Sequence, residues 1–177
     1  PLFLYYAPHV AHCPLQVPEA YYDLFAPLTD GDDEGACAAQ TGSGYYAPGA
    51  SEVYPGFDAQ QRNLSCRALY AASVRFLDDT LGALVGALNG SSPASAPPMW
   101  DDSLFVLSSD NGGCEQLVQS AGTNHPLRGG KGSDWEGGQR VAAFVAGGLA
   151  PARAATLSAP TSIADWAATF CALARVD

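Results

Sequence analysis

The sequence predicts an α/β protein, a layered sheet flanked by helices, and three observations carry that expectation. Two apolar runs, Pro1–Tyr6 and Leu104–Leu107, have the unbroken hydrophobicity of strands at the centre of a sheet covered on both faces. Between them Tyr70, Val74, Leu77, Leu81, Leu84 and Leu88 recur in steps of four and three, the period of an amphipathic helix. The order strand, helix, strand, strand, helix then points to a sheet and helices in layers. With 177 residues and 47% hydrophobic content, the chain can bury one core of ordinary domain size.

The opening strand leads into Ala7–Pro14, a proline-bounded loop that puts His9 and His12 just past the strand's carboxyl end. Imidazole titrates near neutrality and donates from both nitrogens when charged, so either can serve as general acid, base or anion donor. His12 is favoured because Cys13-Pro14 fixes the loop behind it; a merely exposed loop histidine is the alternative. Leu15–Phe57 is rich in Gly, Pro, Asp and Tyr and keeps no sustained period. It reads as a long excursion with short local structure, and about 20–57 as an irregular insertion within a single domain. Inside it Asp30–Gly35 imitates the start of an EF-hand, but Thr41 stands where a bidentate Glu should close the shell. That stretch is expected to be a solvated acidic turn. A helix is expected over Gln60–Leu88, stopped by Asn89 and Gly90, with Ser91–Pro98 as a surface linker.

The strand Leu104–Leu107 empties into Ser108-Ser109-Asp110-Asn111-Gly112-Gly113. Asp110 offers a carboxylate and Asn111 an amide oxygen, hard ligands suited to calcium or magnesium, and the glycines let the backbone turn sharply. The same residues also suit a turn whose side chains cap local backbone groups, so both readings stand. Next comes Pro126–Ser133, a glycine-rich loop carrying Lys131, the only lysine in the chain. Its ammonium can clamp a substrate oxyanion; plain solubility is the alternative. Arg128, Lys131 and Arg140 form the densest basic cluster, partly offset by Asp134 and Glu136, and His125 beside them is a further candidate. The loop is no phosphate-binding P-loop, since His125 stands at its leading glycine position and Gly132 where Ser or Thr would hold magnesium. No G-x-S-x-G elbow offers a serine nucleophile. A third strand, Val141–Ala146, and a helix over Thr161–Leu173 close the chain. His12 and Asp110-Asn111 both follow strand carboxyl ends, where sites of such folds lie, so one crevice is expected to hold them.

The net charge of -10 argues against nucleic acid or an anionic membrane surface as the main partner. No apolar run approaches the roughly 20 residues of a membrane span. The five cysteines are widely spaced, without a C-x-x-C pair, which argues against zinc. The sequons Asn63-Leu64-Ser65 and Asn89-Gly90-Ser91 would permit glycosylation in a secretory protein, secreted or lysosomal. A strand with no polar lead-in at the start and a helix at the very end give the expectation that this is a fragment of a longer protein.

Several ordered blocks together resemble the sulfatase family, in particular the arylsulfatase B-like group. They are Pro1–Tyr5 with His12-Cys13-Pro14-Leu15-Gln16-Val17-Pro18-Glu19, the helix Tyr70–Leu88, Ser109–Gly113, Asn124–Arg140 and Ile163–Trp166. The resemblance implies an alkaline-phosphatase-like α/β fold and calcium-dependent hydrolysis of aryl or carbohydrate sulfate esters. It implies that Asp110 and Asn111 bind Ca2+ while His12 and Lys131 contact the sulfate. In that family the nucleophile is a formylglycine hydrate, made by formylglycine-generating enzyme from a cysteine in a C-x-P-x-R or C-x-A-x-R motif. None of the five cysteines lies in such a motif, so the nucleophile is expected upstream and the fragment is expected to be inactive alone. Two rivals remain open: a phosphate or phosphonate ester hydrolase of the same fold, and a catalytically dead relative kept as a binding module.

Overall fold

A computed structural model describes residues 2–12, 15, 17–25, 66–90, 93, 96–114, 122–153 and 155–176. Most of the expected insertion, the Asp30–Gly35 turn, the Asn63 sequon and the Cys13-Pro14 pair lie outside the described residues. In chain order the elements are α1 (Glu19–Phe25), α2 (Cys66–Gly90), a 3-10 turn (Met99–Asp102), β1 (Phe105–Ser108), α3 (Glu136–Gln139), β2 (Ala143–Ala146) and α4 (Asp165–Ala174).

The core lies where α1 packs on α2. The buried face of α2 is Leu69, Ala72 and Phe76, where Leu15, Val17 and Tyr22 close over them; of the predicted stripe Tyr70 packs at its edge, while Val74 is 45% exposed. Tyr22 is 2% exposed, and its hydroxyl oxygen accepts the Val17 N–H at 2.7 Å, which satisfies both buried groups. Farther along α2, Tyr21 donates to Asp79 at 3.1 Å and meets Phe76 edge-on at 5.3 Å between ring centroids. Arg75 bonds Asp79 at 2.9 Å from one turn away. Ser73, buried on the helix, donates to the Leu69 carbonyl instead of facing an apolar wall unpaired. Val10 and Ala11 pack against this same core, so the burial that holds α1 on α2 also fixes the turn bearing His12.

β1 and β2 pair antiparallel, with Phe105 opposite Ala146 and Ser108 opposite Ala143. Phe105 and Phe144 meet across the ladder at 6.1 Å, and Trp100 of the 3-10 turn covers Phe105 at 6.0 Å. Ser109 N–H reaches the Ala142 carbonyl at 3.2 Å and prolongs the pairing to the edge of the Asp110 loop.

Three expectations need correction. The opening run Leu2–Tyr6 is not a strand: the described sheet has two members, β1 and β2, and a strand needs a partner to take its N–H and C=O groups. Those residues are exposed, Leu2 and Phe3 by 70% each, and Phe3 meets Phe170 edge-on at 5.6 Å. A sheet covered on both faces is likewise not seen among the described residues, where β2 carries Phe144 at 51% exposure. Apolar content does not by itself secure burial; the described residues form helices and a small sheet, which is α/β content. The third strand begins at Ala143 and the last helix at Asp165, each later than the apolar run that predicts it. α2 ends at Gly90, where its stop was expected, and Asn89 in its last turn bonds back to the Val85 carbonyl at 3.0 Å.

Candidate active site

The site is assembled from three loops. The first carries His12, in a turn closed by the His12 N–H to the His9 carbonyl at 2.9 Å and seated on the core through Val10 and Ala11. The second follows β1 and carries Asp110, exposed, and Asn111, half-buried, with the Ser109 hydroxyl donating to the Asn111 carbonyl at 2.9 Å. The third is the lysine loop between Asn124 and α3.

Backbone contacts lock the second loop to the third. Gly112 N–H donates to the Gly138 carbonyl at 3.0 Å, Lys131 N–H to Gly113 at 2.9 Å, and Gly137 N–H to Arg128 at 2.8 Å. So close an approach requires glycine: a Cβ on Gly112 would fall on the Gly137 carbonyl oxygen, and one on Gly137 would fall on the Gly129 carbonyl oxygen. Gly129 also turns the chain at φ +78°, in the left-handed region.

The outcome is a direct meeting of residues separated by most of the chain: Lys131 Nζ lies 2.9 Å from His12 Nε2. An ammonium only donates, so the charged form of Lys131 requires Nε2 as acceptor and the His12 hydrogen on Nδ1. Of the three basic residues in the cluster, two are engaged elsewhere. The Arg128 guanidinium stacks 3.7 Å above the Trp135 ring, and Arg140 sits 3.9 Å from Glu136. Among the described residues Lys131 has no carboxylate partner, which leaves its charge available to an anion.

His9 is exposed and contributes its carbonyl to the His12 turn; His125 is exposed and held by its backbone N–H to Thr123 at 3.2 Å. The structure brings neither imidazole to Lys131. The residue without an assigned role in the sequence is Asn124, whose amide accepts from Gly113 N–H at 2.8 Å and donates to the Gly113 carbonyl at 2.9 Å. Its neighbours in the Asn124–Arg140 block were legible; its part in holding two loops was not.

Asp110 and Asn111 have the hard oxygen donors calcium favours, and the turn that carries them is fixed from both sides. They are two donors against the roughly six to eight calcium takes. Among the described residues no group of three or more His, Cys, Asp or Glu side chains converges to complete a shell.

An ammonium against an imidazole, beside a loop of oxygen donors and with no carboxylate on it among the described residues, is an arrangement chemically able to bind an oxyanion. The sulfatase family profile matches residues 1–176, and the chain belongs to the sulfatase family. Arylsulfatase J of Mus musculus is 29% identical over 175 residues, which cover 99% of this chain and 22% of that relative. The chain therefore spans about a fifth of the length of the curated relative it matches.

Proposed function

We propose that these residues belong to a calcium-dependent sulfatase that hydrolyses sulfate esters of aryl or carbohydrate alcohols, with Lys131 and His12 holding the ester sulfate. The carrying observation is the 2.9 Å approach of Lys131 to His12, with no carboxylate on Lys131 among the described residues. A sulfate oxygen entering between them accepts a charge-assisted hydrogen bond from Lys131 Nζ. The imidazole, released from accepting that proton, can then carry one at Nε2 for the sulfate or for the departing alkoxide. Lys131 needs no rearrangement of a salt bridge to do so, and its loop is held by backbone bonds that do not depend on the substrate.

Asp110 and Asn111 would hold the calcium ion, which when bound neutralises sulfate charge and lowers the pKa of the attacking hydroxyl. The remaining ligands and a formylglycine nucleophile, installed by formylglycine-generating enzyme, would come from parts of the protein beyond these residues. An alkaline-phosphatase-like layered sheet and a secreted or lysosomal location accord with this reading. Among the described residues no helix is long and apolar enough to cross a membrane.

The test uses the full-length enzyme with an aryl sulfate and the matching aryl phosphate, before and after chelation. Sulfate cleavage lost with chelator and restored by calcium is the expected result. Preference for the phosphate ester would replace this reading with the phosphohydrolase one, and turnover of neither would favour a binding relative.

A further inference from the structure

Asn124 joins the two loops on which the site depends. Gly113 N–H donates to its Oδ1 at 2.8 Å, and its Nδ2 donates to the Gly113 carbonyl at 2.9 Å, closing a two-bond ring on a single residue. The same Nδ2 also reaches the Gly129 carbonyl at 3.2 Å. Gly113 stands just past Asp110-Asn111, and Gly129 opens the turn that presents Lys131. The Gly113 carbonyl in turn accepts the Lys131 N–H at 2.9 Å, so the backbone of Lys131 hangs from the peptide that Asn124 fixes.

The chemistry of the junction selects this side chain. Its partners include one N–H and two carbonyl oxygens, and a primary amide offers an acceptor and two donors in one plane. A carboxylate would satisfy the Gly113 N–H and repel both carbonyls; a hydroxyl is too short to serve the three together. We propose that Asn124 is a positioning residue that sets Lys131 against His12 by clamping the Asp110–Gly113 loop to the Gly129–Lys131 turn. It touches neither proposed ligand and acts through Lys131, and the proposal rests on the sulfate-clamp reading of that lysine.

The experiment compares Asn124→Ala and Asn124→Asp in the full-length enzyme, each also in a Lys131→Ala background. Two readouts are taken: kcat/KM for an aryl sulfate, and amide hydrogen exchange in peptides covering 110–114, 124–132 and α2. Asn124→Ala should lower kcat/KM about a hundredfold when Lys131 is present, the scale of loss that follows a misplaced catalytic group. With Lys131 already removed, the same change should cost less than about twofold, because nothing remains to position. Exchange should rise in the two loop peptides and stay unchanged in α2; Asn124→Asp, which keeps the acceptor for the Gly113 N–H and loses the donors to the Gly113 and Gly129 carbonyls, should fall between wild type and Ala.

Equal losses in both backgrounds would overturn the proposal, since Asn124 would then act independently of Lys131. Unchanged loop exchange would overturn it too. Wild-type turnover in Lys131→Ala alone would defeat the clamp reading, and loop exchange by itself would then decide whether Asn124 sets this turn.

Discussion

Gly112→Ala puts the loop junction under direct strain. The Gly112 N–H donates to the Gly138 carbonyl at 3.0 Å, so the two backbones lie in contact. An added Cβ would land on the Gly137 carbonyl oxygen and 3.1 Å from Gly138 Cα. Neither is the end of a side chain that can rotate away; both belong to α3, whose Gly137 and Gly138 are buried. Relief requires one backbone to retreat by more than about 1 Å, and overpacking of this kind costs about 1–3 kcal/mol. The retreat would not stay local, because Gly137 N–H holds the Arg128 carbonyl at 2.8 Å and so steers the lysine loop. A displacement of about 1 Å at a catalytic group costs about a hundredfold in rate. Thermal unfolding and aryl sulfate kcat/KM, measured on the full-length enzyme, read the two effects separately. Gly86→Ala is the control: it is exposed on α2, and its Cβ would meet nothing within 4 Å. Wild-type stability and activity in Gly112→Ala would refute this account of the junction.

Two further perturbations test the core that seats His12. Tyr22→Phe leaves the Val17 N–H without its acceptor inside a buried cluster, and denaturant unfolding should show a loss of about 1–3 kcal/mol. A change within error would mean that water reaches Val17. Asp79 is held below its ordinary pKa first by the Arg75 hydrogen bond and then by the Tyr21 hydroxyl. A lowered folded-state pKa stabilises the fold above the carboxylate's unfolded value, and that contribution fades as pH falls through the folded one. The link between α1 and α2 should therefore weaken below about pH 4, the ordinary carboxylate range, and Asp79→Asn should remove that part of the acid sensitivity. An identical acid profile in the variant would show that the Tyr21–Asp79–Arg75 cluster carries none of it.

The long helix was legible because its apolar residues recur at a helical period, although the buried face is Leu69, Ala72 and Phe76, not the stripe through Val74; β1 was legible because four apolar residues ended in a turn-forming sequence. The opening run misled for the same reason: hydrophobicity marks what can be buried, and Leu2–Tyr6 finds no partner strand among the described residues. Tyr22 shows the converse. It sits at the edge of a stretch with no period, yet a single hydroxyl-to-backbone bond and the α2 face make it the most buried large side chain described.

At the site, Lys131 and His12 were legible as chemical types, one an isolated cation and the other a histidine past an apolar run. That they touch was not, because the contact depends on two separate anchors, the core beneath Val10-Ala11 and the Asn124 junction beneath Lys131. Asn124 was invisible for a plainer reason: an asparagine in a loop looks the same whether it caps a turn or ties two loops together. Arg128 and Arg140, grouped with Lys131 by sequence, each have a local partner, Trp135 and Glu136.

The most direct measurement of the central claim is aryl sulfate kcat/KM in the full-length enzyme for wild type, Lys131→Ala, His12→Ala and the double variant. Two unit charges about 4 Å apart near a protein surface attract by about 4 kcal/mol, and the share gained only in the transition state is about 3 kcal/mol. Lys131→Ala should therefore lose about a hundredfold, and the double variant should lose less than the product of the single losses, since Lys131 and His12 share one substrate group. Activity of Lys131→Ala within about twofold of wild type, or losses that multiply without coupling, would contradict the claim that these two residues hold the sulfate together.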